Sequence, residues 1–158
     1  MTVYNRTDRW LGDYVGAGVT RIEMDLRNFT TQPLTIRIGL KQFTGQGVPG
    51  YATSNAKAFI LPADGRWHRA GFDLTDSDMV PINGPFVSLT EVLSGGVNGF
   101  QELRIVHSLS PSLQGDNISG TMGIDNITAI PAPGAVAVLT LAGGPSLRRV
   151  RRRPSSES

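Results

Sequence analysis

Cysteine does not occur in this chain. Disulfide staples, thiolate metal sites and a cysteine nucleophile are therefore excluded, while the compartment stays open. Histidine is almost as scarce, with only His68 and His107 present, and their spacing fits no paired metal motif. The nucleophile elbow GxSxG, the zinc motif HExxH, a phosphate loop and an EF-hand loop are all missing. Gly45-Gln46-Gly47 is too short for a dinucleotide fingerprint. A sustained charge of one sign is missing too, because the formal net charge is only +2. Arg148, Arg149, Arg151, Arg152 and Arg153 stand against Glu157, so that end brings +4 and leaves residues 1–147 at −2. A nucleic-acid-binding domain spreads its basic charge over a folded face, so no nucleic-acid partner is expected.

What is present is glycine, proline and alternation. A chain of 158 residues suits one ordinary domain, and nineteen glycines with ten prolines favour a turn-rich β architecture. Residues 34–43, LTIRIGLKQF, place Leu34, Ile36, Ile38 and Leu40 at every second position. That period predicts a strand with one buried and one wet face. Residues 19–26 repeat the pattern with Ile22, Met24 and Leu26 facing the core. The two strands are expected to lie antiparallel, joined through residues 28–33.

Further strands are expected over 2–5, 56–61, 67–74, 101–106 and 120–130. The Pro62-Ala63-Asp64-Gly65 turn is expected to close a hairpin between Leu61 and Trp67. Residues 44–53 and 75–85 read as long loops, and Ser88 with Glu91 forms a capping box for one or two helical turns. About seven strands without a βαβ pattern predict an all-β fold. Its expected architecture is an antiparallel two-sheet β-sandwich over residues 1–130.

Candidate chemistry is thin. Glu23 and Asp25 share one strand face. Two carboxylates across a cleft would serve glycoside hydrolysis, yet a solvated sheet face with Arg21 or Arg37 as partners is the favoured reading. The chain is therefore not expected to be an enzyme. Sugar binding needs exposed aromatic rings beside polar groups, and Trp10, Tyr14 and Tyr51 lie in predicted loops. They are the candidate ligand contacts, while Trp67 fits the core equally well.

The C-terminal end is the most distinctive stretch. Pro131-Ala132-Pro133 precedes the small and aliphatic run GAVAVLTLAGG, and the arginine cluster follows Pro145. This arrangement resembles the PEP-CTERM sorting signal, with alanine in place of the motif's acidic residue. The resemblance implies an exported protein of the cell surface or extracellular matrix, held transiently in the membrane by residues 131–158. It also implies recognition by an exosortase-type processing enzyme. Arginines would hold the cytoplasmic side while the apolar helix stalls in the bilayer. That helix is short: eleven residues span roughly 16 Å against a hydrocarbon core of roughly 30 Å.

The body, through Trp10-Leu11-Gly12-Asp13-Tyr14 and Gly123-Ile124-Asp125-Asn126-Ile127, is similar to the lectin-like, jelly-roll sandwiches that often precede such tails. That similarity implies a structural Ca²⁺ on Asp125, although an Asp at a strand turn is the simpler reading and no cofactor is expected. It also implies strands ahead of Met1, so the chain is expected to be truncated at its N-terminus with an open sheet edge. A carbohydrate-binding module is the alternative function, and a glycosidase-like enzyme the third.

Overall fold

The computed structural model describes residues 1–6, 12–42, 52–83, 88–94 and 100–133. Its strands are β1 (Thr2–Asn5), β2 (Val19–Asn28), β3 (Leu34–Gln42), β4 (Ala52–Asn55), β5 (Phe59–Leu61), β6 (Trp67–Asp73), β7 (Met79–Asn83), β8 (Phe100–His107) and β9 (Met122–Pro131). One short helix, α1 (Leu89–Leu93), follows Ser88, whose side chain accepts the Glu91 N–H as the capping box predicts.

The strands form two antiparallel sheets. The larger runs β1-β8-β3-β4-β7, with β5 also on β3, and the smaller runs β6-β2-β9. Ile22, Met24 and Leu26 of β2 are fully buried, as are Ile36, Ile38 and Leu40 of β3. They share one core cluster with Ala70 and Phe72 of β6 and Leu103 and Ile105 of β8. Each large aliphatic side chain so buried contributes roughly 1.5–3 kcal/mol.

Several expectations change. β2 and β3 do not pair: they belong to different sheets and meet through the core. The crossing is pinned by Asn28, whose Nδ2 donates to the Gln32 carbonyl at 2.9 Å and whose Oδ1 accepts the Thr30 N–H at 2.8 Å. The turn at Gly65, φ 68°, is likewise a crossing rather than a hairpin, because β5 pairs with β3 and β6 with β2. Two continuous apolar faces bury more area facing each other than lying side by side. The predicted loops at 44–53 and 75–85 also yield β4 and β7, short strands whose apolar alternation is too brief to read.

The largest correction concerns β3. Its second face, expected to be wet, is closed: Arg37 and Gly39 are buried along with the apolar positions. The segment from Ser108 to Leu113 lies over it. Leu113 is buried, its Cδ2 would stand 2.7 Å from a Cβ on Gly39, and its carbonyl accepts from Arg104 at 2.9 Å. Any residue but glycine at 39 would push this cover away. Arg37 hydrogen-bonds the carbonyls of Ser108 (3.1 Å), Leu109 (3.1 Å), Asn55 (2.8 Å) and Ala56 (2.6 Å). It thereby ties the cover to the break between β4 and β5. At that break Asn55 Oδ1 takes the Ile38 N–H at 2.6 Å, replacing the missing ladder bond.

Candidate functional site

The expected site residues are scattered. Trp10, Tyr51 and the arginines Arg148, Arg149, Arg151, Arg152 and Arg153 lie outside the described residues. Tyr14 is not a surface contact. It is 7 % exposed within the core cluster, its N–H bonds the Leu93 carbonyl at 3.0 Å, and burial pushes its phenol up to about 12. The reason is the β2–α1 junction, which draws the loop inward around the ring. Pro131 ends β9, and the Ala132 N–H bonds the Gly18 carbonyl at 2.8 Å. Pro133 follows as an exposed turn residue.

The histidines have structural partners. His107 Nδ1 accepts the Thr35 N–H at 3.0 Å, and His68 Nε2 meets Asp64 at 3.0 Å.

Asp125 is exposed on β9, opposite Asp25 in register. Asp116, the nearest carboxylate before it in sequence, accepts the Leu109 N–H at 2.9 Å. Among the described residues no three His, Cys, Asp or Glu side chains group as a metal site.

What the fold assembles instead is the outer face of the smaller sheet. Register places Arg21 beside Asp73, Glu23 beside Gly71, Asp25 beside Arg69 and Arg27 beside Trp67 on β2 and β6. Thr128, Asp125 and Gly123 of β9 complete the rows of Glu23, Asp25 and Arg27. Arg21 donates to Glu23 at 2.9 Å and also to Asp73. Arg69 holds the other Glu23 oxygen at 3.0 Å and reaches Asp25 at 3.3 Å. Glycine at 71 is what makes room for the Arg21 guanidinium, which a Cβ there would strike.

A bulge in β9 adds the last member. The register shifts between Glu23 and Asp25, and Asn126 adopts φ 49°, a left-handed conformation that Asn tolerates. Its carboxamide donates to Asp25 at 2.7 Å. Hydrogen bonds from Arg21, then Arg69, hold the Glu23 carboxyl below its ordinary range; Asn126, then Arg69, do the same for Asp25. Each carboxylate has both oxygens engaged, so neither is disposed to donate a proton, which a glycoside-cleaving acid must do.

Arg21 is the expected partner of Glu23, but Arg37 is not, because it lies buried in the other sheet. Arg69 takes its place, and only the tertiary register reveals that. At the sheet edge, a cleft of about 360 Å³ opens between Arg21, Asp73, Lys57 and Phe59. Trp67 and Phe29 lie bare at the opposite end of the same face, 48 % and 52 % exposed. Parity could have placed Trp67 there: Ala70, Phe72 and Leu74 point inward, so 67, 69, 71 and 73 point outward.

A second charged group sits on the larger sheet. Glu102 is fully buried between Arg6 and Arg104. Burial pushes its carboxyl upward, but hydrogen bonds from Arg104 and Arg6 outweigh this and hold it below the ordinary range. The cluster ties Arg6, just past β1, to β8, and Arg104 continues it to the Leu113 carbonyl.

Two antiparallel sheets sharing one apolar core therefore define the class of this protein. Compared with protein-family models, curated proteins and solved structures, the chain matches none.

Proposed function

We propose that the chain is an exported bacterial surface or extracellular-matrix protein. Its body is a non-catalytic β-sandwich of jelly-roll or lectin-like type, and residues 131–158 are an address of PEP-CTERM type. The address is read at the membrane by an exosortase-type enzyme and then removed.

One observation carries the reading. Among the described residues the core cluster draws on nothing after Ala129, and β9 ends at Pro131, the first residue of Pro131-Ala132-Pro133. A sorting signal has to be separable from the domain it delivers; among the described residues, 131–158 give the body only the Val19–Pro131 pairing and the Ala132 N–H bond to the Gly18 carbonyl, and no core residue. The uncharged run 134–147 and the five arginines then follow in the order that anchoring requires.

The test is a tagged chain with and without residues 131–158, expressed in a bacterium that carries an exosortase. Deletion is expected to abolish surface retention and to shift the thermal midpoint of the purified body only slightly, by the loss of the pairing at the end of β9. Indifference of localisation to the deletion sinks the reading, as does collapse of the body without those residues.

A further inference from the structure

One end of the smaller sheet's outer face is unlike the rest. Arg27, Trp67 and Gly123 form a row across β2, β6 and β9. The Trp67 indole reaches over the central strand toward β9. Its Cη2 atom would stand 2.9 Å from a Cβ on Gly123, and a Phe29 ring carbon 3.4 Å. Glycine at 123 is thus what lets the Trp67 ring settle against the sheet, with Phe29 in ordinary contact beside it. The Arg27 guanidinium lies over the Phe29 ring, 4.6 Å from its centre.

Arg27 is also electrostatically unfinished. Arg21 and Arg69 each hold carboxylates, but Arg27 has no ion pair among the described residues. Its Nε is buried with no hydrogen-bond partner. The enclosed Nε leaves the charge of this guanidinium uncompensated, so an anion meeting its outer nitrogens gains a charge-assisted bond.

A ligand that completes this patch offers a flat apolar face to the two rings and a negative group to Arg27. A pyranose supplies the first through its C–H face, and a carboxylate or sulfate on the sugar supplies the second. The next row, about 7 Å along the strands, presents Asp25, Arg69 and Asp125, with Asn126 at the bulge. These are donors and acceptors suited to the hydroxyls of a neighbouring sugar.

The structure assigns to this patch a binding site for an anionic polysaccharide, with Trp67 and Phe29 as the stacking platform and Arg27 as the anion contact. None of its contact residues is Trp10, Tyr14 or Tyr51. It does not depend on the sorting signal, because every residue in it belongs to the body.

Calorimetric titration of the full chain with a short oligogalacturonate, with dextran sulfate and with a neutral cello-oligosaccharide tests it. At least one acidic chain is expected to bind, about tenfold or more tighter than the neutral one, and to weaken as salt rises. Trp67→Ala is expected to weaken acidic binding about tenfold or more. Arg27→Gln should erase the preference for acidic chains, and Arg27→Lys should restore it in part. Gly123→Ala keeps both rings but displaces the Trp67 indole, and should weaken binding without removing a contact residue. Circular dichroism and urea midpoints check folding; if Trp67→Ala does not fold, Gly123→Ala and Arg27→Gln carry the test. The proposal is overturned if no acidic chain binds, or if binding ignores these substitutions. It is also overturned if Trp67 instead drives self-association in sedimentation with no sugar bound, which would make the patch an interface between copies.

Discussion

The outer faces of the two sheets use the same residue types and come out opposite. On the smaller sheet Arg21, Glu23, Asp25 and Arg69 form an ion-pair lattice open to water. On the larger sheet Arg37, Glu102 and Arg104 occupy equivalent outward positions, yet Arg37 and Glu102 are buried. The difference is the segment from Ser108 to Leu113, which covers Arg37 and reaches Arg104, with the two arginines Arg6 and Arg104 enclosing Glu102. A charge on a strand's polar face is therefore cheap or expensive according to what lies above it. In water a pair contributes little. Beneath a cover each unpaired group costs its full desolvation.

That contrast can be broken most directly at the covered face. Glu102→Ala leaves Arg104 under the cover without its carboxylate, and a loss of about 3 kcal/mol is expected from urea unfolding. Arg37→Met strands four carbonyl acceptors and should cost about as much. Substitutions in the open lattice test the other side: Glu23→Gln is expected to leave the urea midpoint unchanged. A large shift there would show that exposure does not govern the outcome.

Acid sharpens the same comparison. The Glu102 carboxyl is depressed in the folded state, so its contribution is present above the ordinary carboxyl value, about 4.3, and fades as pH falls through the folded value. Glu102→Gln should thus flatten the acid limb of a stability–pH profile. In alkali the sign reverses at Tyr14. Its phenol is raised to about 12 by burial, so its contribution is complete below the ordinary value of 10.0 and fades as pH climbs between the two. Tyr14→Phe should therefore resist unfolding above pH 10.0 better than the parent chain, measured by circular dichroism.

Glycine substitutions fall between these extremes. Gly39→Ala presses on Leu113, which is boxed in by the cover, and should cost about 1–3 kcal/mol. Gly71→Ala meets only the end of the Arg21 side chain, which can lift into water, so a smaller change in midpoint is expected.

Much of the fold was legible from parity. The alternation in LTIRIGLKQF and in the strand carrying Ile22, Met24 and Leu26 named most of the core from these strands, and the Ser88–Glu91 box marked the helix start. The outward position of Trp67 was legible on the same grounds, once Ala70 and Phe72 were set inward. Sheet membership was not legible. A turn such as residues 62–66 looks the same whether it closes a hairpin or carries the chain across the core, because local backbone angles say nothing about which partner waits beyond. The candidate site suffered likewise. Glu23 and Asp25 were visible as a pair, but Arg69 and Asn126 reach them only through cross-strand register and a bulge.

The amino-acid order alone therefore determined which side chains seek the interior, where the chain turns, that no thiol chemistry operates, and that positive charge gathers at one end. Those are properties of single residues and their near neighbours. The tertiary structure alone decided which strands share a sheet, that β3 is dry on both sides, that Tyr14 is core, and that Arg27, Phe29, Trp67 and Gly123 meet. Those depend on residues distant in sequence arriving at one place, where burial and pairing are settled by total area and satisfied charge rather than by local preference.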